Sequence, residues 1–155
     1  MPRFFRRLRE GVFDEEDLHR RAEELAEFVV TASAAYGIEE GSLVAVGFSN
    51  GANIASALLL QRPDLLGAAV LLSAMVPYAE PPAADLSGTL VVISNGERDP
   101  MIPAAMTKAL ASQLRDRGAE VVELPHSGGH QISSGVLSQI SNVIARPERQ
   151  PKRPR

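Results

Sequence analysis

The sequence predicts an α/β domain with a mostly parallel sheet, and three observations carry that prediction. Short apolar runs begin at Leu43, Gly67, Thr89 and Glu120, and helical patterns separate them. The first three runs are apolar without alternation, as in strands covered on both faces. Helix start and stop signals fall in the gaps between them. At 155 residues the chain is one domain, long enough for a real core. Its 45% apolar and 23% charged content is ordinary for a globular protein. A net charge of −3 argues against a polyanion partner. The absence of Cys excludes a disulfide framework and a thiolate metal site. No apolar run approaches the roughly 20 residues needed to span a bilayer. The N-terminus lacks the apolar core of a signal peptide, so no membrane insertion and a cytoplasmic location are expected.

Residues 1–13 are basic and aromatic with no clear period, and read as a loop packed on the body or as one wall of a pocket. Asp14 is placed as an N-cap, with Glu15, Glu16 and Asp17 in the first turn, where the helix dipole favours acids. Leu18, Ala22, Leu25, Val29, Ala32 and Tyr36 follow at steps of three or four and form one apolar stripe. Gly37 is placed to stop that helix. His19 has no partner in its neighbourhood and reads as a surface residue. The strand from Leu43 to Val46 leads into a helix that runs to about Arg62, where Pro63 ends it. Gly67 to Leu72 is the second strand, Met75 to Gly88 a Pro- and Ala-rich loop, and Thr89 to Ile93 the third strand. Pro103 suits the first turn of a helix reaching Arg117, with Gly118 closing it. Glu120 to Leu124 alternates in part and predicts an edge strand. Ile132, Val136, Leu137, Ile140 and Ile144 mark a last helix. Residues 1–145 thus form the domain, and Arg146 to Arg155 a basic, disordered tail with no nucleic-acid role.

Ligands of such a sheet gather at the carboxyl ends of its strands. The first strand ends in Gly47-Phe48-Ser49-Asn50-Gly51, which fits G-x-S-x-G, a turn that lifts a serine above the sheet. Its two glycines let strand and helix approach without a Cβ clash. The third strand runs into Gly96-Glu97-Arg98-Asp99, and the fourth into His126-Ser127-Gly128-Gly129-His130. Serine, carboxylate and histidine therefore share one rim. The chemistry needs all three: a hydroxyl is a poor nucleophile until an imidazole takes its proton, and a carboxylate fixes the imidazole tautomer. Glu97 rivals Asp99, but the G-x-x-D spacing favours Asp99. His126 rivals His130, but the flexible Gly128-Gly129 pair favours His130. A phosphate-binding reading of the glycine turn lacks both G-x-x-x-x-G-K-[ST] and G-x-G-x-x-G.

With these motifs in place, the chain resembles the phospholipase/carboxylesterase branch of the α/β-hydrolases. The likeness rests on Gly47 to Asn53, Gly96 to Pro103 and Gly128 to His130. The stretch from Pro2 to Asp17 is also similar to bacterial carboxylesterases, and the likeness extends to about Ile144. The resemblance implies that Ser49 is the nucleophile, Asp99 the orienting acid and His130 the general base. It also implies that the Asn50 N–H belongs to the oxyanion hole, that small carboxylic esters or thioesters are the substrates, and that no metal or organic cofactor takes part.

The same resemblance implies more chain before Met1, supplying early strands and a His-Gly loop with a second oxyanion donor. The fold expected here is the C-terminal portion of an α/β-hydrolase, with about four strands. Residues 43–47 would then form an unpaired apolar edge, which invites a homo-oligomer. A misassigned start, a truncated gene or a completing second chain would each explain it. The alternative function is an impaired hydrolase remnant acting as an interaction module.

Overall fold

The computed structural model describes residues 3–9, 11–39 and 41–145. The basic tail predicted over 146–155 lies outside the described residues. The described chain runs through β1 (Arg7–Arg9), β2 (Val12–Phe13), α1 (Glu15–Tyr36), β3 (Leu43–Phe48), α2 (Asn50–Gln61), β4 (Leu66–Leu72), β5 (Leu90–Ser94), α3 (Ala104–Arg115), β6 (Glu120–Glu123) and α4 (Ser134–Ile144). Four strands form a parallel sheet in the order β3-β4-β5-β6, so each strand pairs with the next one in sequence.

Local signals account for the main helix. The Asp14 side chain accepts the Asp17 N–H and starts α1, and Gly37 ends it in the left-handed region at φ 64°. Leu18, Ala22 and Ala26 are buried, with Leu25 and Val29 packed beside them. The predicted stripe fails at its end: Tyr36 is 81% exposed, because α1 outruns α2, the helix it packs on. Asp17 has more to do than face the helix dipole. Its covered carboxylate accepts the Arg6 N–H and pairs with Arg20.

Helices cover the two faces of the sheet unequally. On one face Ala69, Leu71, Val91 and Ile93 join α1, α2 and α3 in the larger core. Helix α2 is apolar almost all round, and Ala52 through Leu60 are all buried. On the other face Ala68, Val70, Leu72, Leu90 and Val92 meet Val136, Ile140 and Val143 of α4. The predicted stripe of α4 is thereby corrected. Leu137 and Ile132 are exposed, Ile132 precedes the helix, and Val143 takes the buried position. Helix α3 is also shorter than predicted, with Pro103 at its N-cap and Asp116 at its C-cap.

Two further differences bear on the site. Strands β1 and β2 pair antiparallel where a loop or pocket wall was expected. Phe5 and Phe13 are buried there edge to face, with ring centroids 5.0 Å apart, while Phe4 and Leu8 stay exposed. Strand β3 is not covered on both faces. It is an edge strand, and Val44, Val46 and Phe48 are exposed while Leu43 and Ala45 pack on the core. Among the described residues no helix is long and apolar enough to cross a membrane.

Candidate active site

The site is built at the carboxyl ends of β3, β5 and β6. Ser49 sits between β3 and α2 at φ 53° and ψ −112°, a region that side-chain-bearing residues rarely occupy. Two contacts hold it there. Its N–H donates to Leu72 C=O at the end of β4, and its C=O accepts the Asn53 N–H in the first turn of α2. The turn also requires glycine at position 47. A Cβ there would lie 2.4 Å from the Gly51 carbonyl carbon and oxygen. Gly51 is different, since a Cβ on it would meet nothing within 4 Å. Of the two glycines that flank the serine, only the first answers to the expected clash.

His130 Nε2 lies 2.9 Å from Ser49 Oγ, and His130 Nδ1 lies 2.8 Å from Asp99 Oδ2. The Asp99 side chain is fully covered, and its other oxygen accepts the Met101 N–H. The imidazole is one-fifth exposed. Its ring lies 5.2 Å from the Phe48 ring, tilted by 50°. The rival residues serve elsewhere. Glu97 is exposed, and His126 accepts the Gly128 N–H on its own ring nitrogen. His126 instead extends the sheet by a bridge to Gly96.

The histidine segment reaches Ser49 by folding back over the end of β5. Glu97 N–H donates to His126 C=O and Arg98 N–H to Gly128 C=O. The segment passes so close that a Cβ on Gly96 would lie 2.3 Å from Gly129 O. Glycine at 96 is thus a condition for the Ser49–His130 approach.

Asparagines complete the frame, and sequence reasoning had assigned their side chains no role. Asn50 Oδ1 accepts the Phe4 N–H at 2.8 Å, which ties the N-terminal segment to the residue after Ser49. Asn95 clasps Ala74 at both its N–H and C=O and also donates to Thr107. Asn53 accepts the Met75 N–H. Together Asn53 and Asn95 fix the backbone after β4, where Ser73 also takes a positive φ of 52°. The available signal was Asn53 itself, an amide inside the apolar run of a helix, which had to be satisfied by something.

Two ionisable groups near this frame are shifted. The Arg6 N–H, and then Arg20, hold the Asp17 carboxyl below its ordinary value against the opposing effect of burial. Burial pushes the Tyr78 hydroxyl up to about 12, with Gln61 as its hydrogen-bond partner. Among the described residues no cluster of three or more His, Asp or Glu could hold a metal ion.

Comparison with known proteins reaches the same fold. The family described as Phospholipase/Carboxylesterase matches residues 5–146. MhqD of Bacillus subtilis (strain 168), a protein named as a hydrolase, is 43% identical over 139 residues, which is 90% of this chain and 70% of MhqD. The carboxylesterase of Bacillus cereus superposes with a TM-score of 0.89 at 41% identity, over 92% of this chain and 68% of that one. A carboxylesterase from Mesorhizobium loti gives 0.87 at 29% identity, over 94% of this chain and 69% of its own.

Proposed function

We propose that this chain, which belongs to the phospholipase/carboxylesterase family of α/β-hydrolases, cleaves carboxylic esters through an acyl-serine intermediate. Thioesters are the second substrate class. One observation carries the reading: the continuous relay from Ser49 Oγ through His130 to a covered Asp99.

In the first half-reaction His130 Nε2 takes the Ser49 proton as Oγ bonds to the ester carbonyl carbon. The alkoxide then leaves with that proton, and the acyl group stays on Ser49. In the second half a water gives its proton to His130 and attacks the acyl carbon. The acid departs, and Ser49 recovers its proton. Asp99 accepts from His130 Nδ1–H throughout, which keeps Nε2 free to accept and stabilises the charged ring. The Asn50 N–H stands at the first turn of α2, where a helix has no internal acceptor. It is the donor assigned here to the oxyanion, and the helix dipole favours negative charge at that point.

An active-site-directed fluorophosphonate should label Ser49, and the label should vanish in Ser49→Ala. Turnover of a short nitrophenyl ester should fall by about 10⁴-fold or more in the same variant. Folded protein that resists labelling would sink the reading. The bare β3 edge favours a second reading, in which the chain acts chiefly as an interaction module or pairs with a second copy. Serine-dependent turnover by a monomer, as judged by sedimentation, would rule that out.

A further inference from the structure

We infer that the site selects esters carrying a second, anionic group, and that Arg3 and Arg9, which line one cavity with Arg7, bind it as a carboxylate. This rests on the esterase reading above. The three arginines and Met101 line a cavity of about 370 Å³. Its walls come from the N-terminal segment and from the turn after Asp99. Arg3 precedes Phe4, whose N–H is bound by the side chain of Asn50, the neighbour of Ser49. Met101 donates its N–H to Asp99.

The charges of the lining are one-sided. Arg7 and Arg9 both belong to β1, with a register irregularity between them, and both line the cavity. No acid is among the four lining residues. Three acids of these segments are already engaged: Asp14 and Asp17 pair with Arg6, and Asp99 is held by His130 and Met101. Among the described residues Arg3 and Arg9 form no ion pair. Arg3 and Arg7 also line a larger cavity, of about 920 Å³, together with Asp17 and Glu24, so Arg9 is the arginine that faces no acid in either lining. Guanidinium groups match a carboxylate by paired N–H donors, and a local pair of them acts at short range where the overall charge of −3 does not. The planar fork of one arginine suffices to fix the anion, and the others raise its local concentration.

The test compares kcat/KM on matched esters at low salt. One pair places the anion on the acyl side: the nitrophenyl hemiester of glutaric acid against nitrophenyl butyrate. The other places it on the leaving group: a butyryl ester of hydroxybenzoate against phenyl butyrate. At least one anionic ester should be preferred by about ten- to hundredfold, the range of a charge-assisted contact. The preference should shrink about tenfold in Arg3→Ala or Arg9→Ala and with rising salt. Arg62→Ala, at the far end of α2, should leave basal activity unchanged. Labelling rates of Ser49 by a carboxylate-bearing and a neutral fluorophosphonate read the same preference without deacylation. Turnover of the neutral esters without any anion preference would overturn this inference and leave the esterase reading intact. A preference that survives both arginine substitutions would overturn it equally. Absence of serine-dependent turnover or labelling with every probe would overturn both.

Discussion

Strands β3 and β5 are built from similar residues and end in different surroundings. β5 is buried at all five positions, covered by α3 and its neighbours on one face and by α4 on the other. β3 is a bare edge, and its outward valine Val46 is 68% exposed. Yet β3 carries Ser49, the residue on which the proposed chemistry turns. The lesson is that burial does not position the proposed nucleophile. It is positioned by turn chemistry, through Gly47, the positive φ at 49 and the backbone bond to Leu72. Stability and site geometry are thus carried by different parts of one sheet.

The contrast can be broken most sharply by truncating one side chain on each strand. Ile93→Ala in β5 should cost about 2–5 kcal/mol in urea unfolding, from lost burial and the cavity left behind. Val46→Ala in β3 should stay within about 0.5 kcal/mol of the parent. Similar losses for the two would mean that the β3 edge is covered in solution. Gly47→Ala sharpens the comparison from the other side. The new Cβ must displace Gly51, and a shift of that kind at a reacting atom costs about 100-fold in activity. Esterase rates beside unfolding curves will show whether activity falls further than stability.

The smallest expected effects are those of pH. Asp17 anchors the segment beside Asn50, and its folded-state pKa is depressed. Its contribution is therefore present above the ordinary aspartate range and is lost as pH falls through the lowered value. Asp17→Asn should flatten the acid limb of a stability profile. Tyr78, in the connection after β4, is raised to about 12. Its contribution is full below about 10 and is lost as pH rises from there toward 12. Tyr78→Phe should flatten the alkaline limb and leave the acid limb unchanged.

Most of the sheet could be read from the sequence because apolar runs and Gly or Pro stops mark it locally. Ser49, Asp99 and His130 could be read for a similar reason, since each follows a strand and the ends of parallel strands share a rim. The pairing of β1 with β2 could not, because arginines on a two-residue alternation look like loop composition. The exposed face of β3 was ambiguous. Val44 and Val46 satisfy a buried-strand pattern equally well, and only the strand order decides what covers them. The roles of Asn50 and Asn95 depend on partners 46 and 21 residues away, which no local pattern encodes.

The order of the sheet also sets how far the histidine must travel. Ser49 follows the first strand of four and His130 the last, a gap of three strand spacings, or about 14 Å. Only residues 124–129 lie between β6 and His130, a segment that spans at most roughly 20 Å when extended. Inserting a strand between β5 and β6 would lengthen the crossing to about 19 Å and use up most of that reach. The width of the sheet and the length of that one crossing segment are therefore constrained together.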